Sequence, residues 1–192
     1  NAPIANAKCL TCHDASAPGS GTIRNWGSCR VESGATNILS GSSSRAVKLT
    51  TPVTNISQAF LLTDSSGSST VEQGQNHMVS GYISAANTLT LQRAGTTGQA
   101  EVSYAVVECF NNEFSVQRGE IQLASSAASN TGTITSVDTT KSIVLVNSRA
   151  SIAASQQYQA NVTGELTNGT TVTVRRASTA TSAIANVRYE VI

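Results

Sequence analysis

Charge, aromatic side chains, histidine and long apolar runs are all scarce in this chain. Only 12% of its 192 residues are charged, and the formal net charge is +1. That balance offers no basic patch to a nucleic acid and no attraction to an anionic membrane. No apolar stretch approaches the roughly 20 residues that cross a bilayer as a helix, so no membrane span is expected. Aromatic residues make up 4%, which leaves Val, Ile, Leu and Ala to build any core. Histidine occurs only as His13 and His77. A hydrolytic centre has just those two bases to draw on, and serine and threonine are too common for nearness to either to mean anything. The carboxylates Asp64, Glu72, Glu101, Glu108, Glu113, Glu120 and Asp138 show no paired spacing of the kind acid–base catalysis uses. They read as solvated charges, and no enzyme is expected. The single methionine is Met78, so the chain lacks an initiator and reads as an exported protein whose leader has been removed.

Ser, Thr, Ala, Gly and Val dominate instead, as in extracellular β proteins. The chain also repeats itself. Val31-Glu32-Ser33-Gly34 is echoed by Val116-Gln117-Arg118-Gly119, and Gln58-Ala59-Phe60-Leu61-Leu62 by Lys141-Ser142-Ile143-Val144-Leu145. Val79-Ser80-Gly81 returns as Val162-Thr163-Gly164, and Leu89-Thr90-Leu91-Gln92-Arg93-Ala94 as Val172-Thr173-Val174-Arg175-Arg176-Ala177. Tyr104-Ala105-Val106-Val107 returns as Tyr189-Glu190-Val191-Ile192. The five blocks are collinear, at an offset of about 83 to 85 residues. They define two copies, 30–112 and 113–192, behind an irregular arm at 1–29.

Each copy reads as β structure. Residues 88–92 and 171–175 alternate with period two, as half-buried strands do. The apolar runs 59–62 and 143–146 predict strands buried on both faces. Asn168-Gly169 predicts a type I′ hairpin turn, which needs positive φ at both positions. Residues 42–44, 64–70 and 124–130 read as loops, and no segment holds a helical period. Roughly six short strands per copy predict an all-β chain of two tandem antiparallel β-sandwiches, jelly-roll-like in pattern.

Four cysteines remain: Cys9, Cys12, Cys29 and Cys109. Cys9-Leu10-Thr11-Cys12-His13 has the C-x-x-C-H spacing in which two thiols add to one porphyrin and the following histidine ligates its iron. Other chemistry is open to the same residues. Four cysteines in an exported chain make two disulfides, with three possible connectivities. A C-x-x-C pair can be redox-active, although the usual βαβ setting is absent. Zinc would need ligands from Cys29, Cys109 and His77, whose spacing is irregular. With haem on Cys9 and Cys12 and His13 as proximal ligand, Cys29 and Cys109 are left to bond to each other across the first copy, which they flank. Without haem, Cys9 or Cys12 competes for Cys29. His77 and Met78 are the candidates for a sixth iron ligand, His77 first, from the same subunit or a neighbour. The second copy has Ala160 and Asn161 there, and a strand would point the two candidates to opposite faces.

The run Cys9–Asp14 resembles the haem-attachment segments of bacterial c-type cytochromes, over about the first 15 residues only. The body resembles the tandem β-sandwich modules of bacterial cell-surface and fibre proteins, by general pattern. Together the resemblances imply haem c as cofactor and an exported structural subunit of an extracellular or cell-surface fibre. Such a subunit would self-associate into a homopolymer and pass electrons to redox partners. The alternative is a haem-free, disulfide-stabilised fibre subunit or adhesin. A soluble periplasmic cytochrome or small redox enzyme ranks last, since two whole β domains for one cofactor would be unusual. In a fibre the arm, with Pro3, Pro18 and Trp26, is the segment that could enter a neighbouring sandwich as an added strand. Asn55, Asn161 and Asn168 head N-x-S/T sequences, which arise often in so Thr/Ser-rich a chain and carry little weight.

Overall fold

The structure is a computed structural model that describes residues 22–26, 28–67, 74–152, 159–177 and 183–192. Its strands are β1 (Thr22–Trp26), β2 (Cys29–Ile38), β3 (Ser44–Lys48), β4 (Ala59–Gly67), β5 (Ser80–Ala85), β6 (Thr88–Gln92) and β7 (Ala100–Cys109), followed by β8 (Gln117–Leu123), β9 (Ser129–Thr133), β10 (Val144–Ser151), β11 (Val162–Asn168), β12 (Thr171–Arg176) and β13 (Ile184–Val191). One short helix, α1 (Gly74–His77), precedes β5. The chain is all-β, and every strand pairing is antiparallel.

The strands form two sandwiches of like topology. In the first module β2-β7-β4 make one sheet, which β1 extends at the β2 edge, and β3-β6-β5 make the other. In the second module the matching sheets are β8-β13-β10 and β9-β12-β11. Alternation explains the layering. In β7, Ala100, Val102, Tyr104 and Val106 are buried while Glu101 and Ser103 face water. In β13, Ala185, Val187, Tyr189 and Val191 point into the second core. Each module has its own core: Leu61, Ile83, Leu89 and Val106 anchor one cluster of the first and Ile38, Leu91 and Val102 another, and Ile121, Leu123, Val172 and Val174 anchor the core of the second.

The copies also share a packing device. Gly34 pairs across the ladder with Tyr104, and Gly119 with Tyr189. A methyl group at Gly34 would come within 2.6 Å of the Tyr104 hydroxyl oxygen, and the second module has the same tight approach. In each copy the phenol lies flat where a side chain would otherwise stand.

Several local expectations need correction. The run 59–62 is buried on one face: Ala59 and Leu61 are enclosed, whereas Leu62 is exposed. Ile143 is exposed and Val144 to Val146 are only half-buried. Residues 64–67 continue β4, and the segment before β5 is helical. Asn168-Gly169 does start a hairpin, yet neither residue adopts a left-handed φ. The Asn168 side chain accepts the Thr170 N–H at 2.9 Å and closes the turn that way, an Asx arrangement that dispenses with the I′ geometry. Asn55 closes its own turn on Ser57 similarly.

Cys29 and Cys109 are directly opposite on β2 and β7 and form a disulfide that spans 80 residues of sequence. It joins the first and last residues of those two strands and so ties β1 and the exit of the first module together. Replacing both cysteines with alanine is expected to lower stability by about 2–4 kcal/mol, through loop-closure entropy of the unfolded chain. Urea unfolding of the double variant beside wild type measures it, and a change under about 0.5 kcal/mol would mean that strand pairing alone already does this work.

Candidate functional site at the seam between the modules

The sandwich side formed by the edge strands β4 and β5 lies against the outward face of the β8-β13-β10 sheet. Edge strands carry unpaired N–H and C=O groups that need partners. Here side chains of the second module supply them. Glu190 accepts the Leu61 N–H at 2.7 Å, and Asn147 accepts the Gly81 N–H at 3.0 Å. Arg118 donates to the carbonyls of Ile56 (3.0 Å) and Ala59 (2.6 Å) while pairing with Glu190 at 3.1 Å. Arg149 reaches the Ser80 hydroxyl at 2.8 Å. Arg188 lies over the Tyr82 ring, 3.6 Å from its centroid. Glu120 holds both Arg149 and Arg188, at 3.1 and 2.9 Å.

This charged face belongs to the second module alone. Ser33 lies opposite Ala105 in the first module where Arg118 lies opposite Glu190 in the second, and Ala35 opposite Ser103 where Glu120 faces Arg188. The two sandwiches are alike in topology, and at four matching positions the first has small residues where the second has the charged ones that make the clamp. Burial pushes the Glu190 carboxyl above the usual carboxylate range, while the Leu61 amide and Arg118 pull it back. Burial likewise lowers the Arg188 guanidinium, which Glu120 opposes.

A cleft of about 340 Å³ runs along the seam, lined by Thr63, Asp64, Ser65, Met78, Val146 and Ser148 among others. Met78 is the link between the modules. It follows α1 in the first module, yet its side chain packs against the core of the second. His77 ends α1, and Gly67 leaves the space its imidazole occupies, since a Cβ there would collide with the ring. The expectation of a strand with the two on opposite faces is therefore replaced by a helix end from which His77 turns toward Gly67 and Met78 toward the neighbouring module.

The carboxylates are less solvated than their sequence suggests. Glu108 is 1% exposed, pairs with Arg30 at 2.7 Å, and accepts the N–H groups of Thr54 and Asn55. Glu32 does the same for Thr50 and Thr51. Gln117 takes the matching place in the second module, accepting the Thr135 N–H at 2.7 Å. Glu120 is committed to the seam. Asp64 and Glu101 remain on the surface as expected.

The cytochrome resemblance is corrected by the cysteines that the structure describes. The cluster of potential ligands among the described residues is Cys29, Cys109 and Glu113. Two of these are the sulfurs of one disulfide, so the cluster offers no thiolate and no imidazole to hold a porphyrin or its iron. The haem assignment to Cys9, Cys12 and His13 falls outside the described residues. Among those described, no helix is long and apolar enough to cross a membrane. An all-β chain with a disulfide is compatible with an oxidising, extracellular setting. No protein-family model, curated protein or solved structure matches this chain.

Proposed function

We propose that this chain is a haem-free, disulfide-stabilised structural subunit of an extracellular or cell-surface fibre. The carrying observation is the seam. Two sandwiches joined in one chain usually behave as independent bodies unless their interface is extensive. Here the edge backbone of one is bonded to buried charged side chains of the other, which fixes their relative orientation. A rigid pair of modules with few charges and a cystine staple suits a repeating unit that must carry tension. Light scattering coupled to size exclusion, with negative-stain imaging of native preparations, tests this. Filaments with one two-module subunit per axial repeat are expected. A protein that stays monomeric at all concentrations would sink the fibre reading, and a haemochrome spectrum or a mass raised by one haem would sink the haem-free part.

A further inference from the structure

Resting on the fibre reading, we propose that the outer edge of β10 is a socket for an extended segment of a second copy, residues 4–17 of its N-terminal arm, which joins the β8-β13-β10 sheet as a fourth strand.

The two modules differ at this edge, although α1 of the first module already lies beside part of β10. In the first module the β4 and β5 edge is sealed through the Leu61 and Gly81 amides. Their counterparts are Val144 and Gly164, and among the described residues no side chain meets either amide. Ile143 exchanges both backbone bonds with Ile192. By antiparallel alternation the N–H groups of Val144, Val146 and Ser148 therefore point away from β13. Burial tells the same story. Leu61, Val79 and Ile83 are 2%, 5% and 4% exposed, whereas their counterparts Val144, Val162 and Leu166 are only half-buried although they pack on the second core.

The cleft described above runs beside this edge, with Met78, Val79, Val146 and Val162 as its apolar part. A strand laid along β10 would place alternate side chains on that part and the others toward the polar rim. This chain already completes one sheet by strand addition, since β1 makes the first module's sheet four-stranded while the corresponding sheet of the second module has three.

The occupant follows from where the arm begins. Residues 1–21 precede β1, which lies at the opposite edge of its sheet from β4, the strand facing the second module. The arm therefore starts from the side of the first module remote from the seam and its cleft, so the contact would join unlike surfaces of two copies. Such heterologous contacts build open filaments unless the rotation closes a ring. Residues 4–17 contain no proline and outrun the 8 residues of β10, so pairing need not be interrupted. Lys8 is the arm's one lysine before β1, and Asp64 is the carboxylate lining the cleft.

Amide hydrogen exchange on assembled and dispersed wild-type protein tests the proposal. The Val144, Val146 and Ser148 amides should slow by about 100-fold on assembly. Ser148→Pro removes one outward donor and should abolish filaments. A synthetic peptide of residues 1–21 carrying Cys9→Ser and Cys12→Ser, in excess, should cap growing ends and shorten them. Filaments in which these amides exchange as fast as in the dispersed protein would overturn this inference and leave the fibre reading standing. So would filaments indifferent to the peptide, or amides already protected in the monomer, which would mean that a chain fills its own socket. Absence of any filament overturns both. Should Ser148→Pro fail to fold, exchange on the wild-type chain still decides.

Discussion

Replacing Arg93 with alanine is expected to destabilise the first module by about 4 kcal/mol, placing it among the largest effects of any single substitution. Arg93 is 2% exposed and directly follows β6 inside the protein. Its guanidinium donates only to carbonyls: Ser42, Asn76, Leu39 and Gly98 at 2.8–2.9 Å, and Thr96 and Thr97 at 3.2 and 3.4 Å. One planar fork thereby ties the β2–β3 loop, the end of α1 and the β6–β7 loop together. Burial lowers its pKa, yet an arginine remains charged throughout the range in which proteins fold. Alanine would leave several half-enclosed acceptors without a donor, at about 1–3 kcal/mol each for those that water cannot reach. Arg93→Lys should recover part of the loss, since an ammonium cannot satisfy a fork of this breadth. Trp26 is the only tryptophan and lies in the first module, so its fluorescence in urea gives a module-specific readout. A loss under about 1.5 kcal/mol would mean that water replaces the guanidinium freely.

Arg176 is the twin. It is buried at the end of β12 and donates to the carbonyls of Ala127, Ala183, Ala124 and Ser125. The pair shows what was legible in the sequence and what was not. The repeat displayed Arg93 and Arg176 in matching places, and a charged residue retained at the end of an apolar strand was the available clue. Nothing in the local pattern said that the guanidinium turned inward, because its partners are carbonyls of loops that only the fold brings near. The two-sandwich architecture was readable because period-two alternation and collinear blocks are local properties. The seam was harder. Its signal lay in the differences between copies, Ser33 against Arg118 and Ala105 against Glu190, which do not say what the charged face meets until the fold brings β4 and β5 against it. The buried Glu108 was equally hidden, since its loop partners Thr54 and Asn55 stand far off in sequence. Four residues of helix at 74–77 are too few to show a period, so α1 and the inward turn of Met78 could not be foreseen.

Glu190→Ala is expected to cost about 3 kcal/mol, at the lower end for breaking a buried ion pair, because Arg118 retains some contact with water. Glu190 is 5% exposed, and its two oxygens serve the Leu61 amide and Arg118 separately. Alanine removes both acceptors at once. The Leu61 N–H is left enclosed, and Arg118 keeps its two carbonyls but loses its countercharge. Glu190→Gln should cost much less, since an amide oxygen can still accept from Leu61. The same substitution isolates a pH effect. Burial raises the folded pKa of Glu190 above its unfolded value, so the native state holds this proton more tightly. The stability it contributes is full below the unfolded pKa and is lost as pH rises through the folded one. Wild type minus Glu190→Gln should therefore show a stability difference that shifts against wild type as pH climbs through the upper carboxylate range. Joint replacement, Arg118→Met with Glu190→Met, should be milder than Glu190→Ala, because neither charge is then stranded. Urea unfolding from acid to neutral pH, with exchange of the Leu61 amide as the local reporter, separates these outcomes. If Glu190→Ala unfolds like wild type and the Leu61 amide exchanges no faster, the seam is held by packing around Met78 and Tyr82, and its charges only set its register.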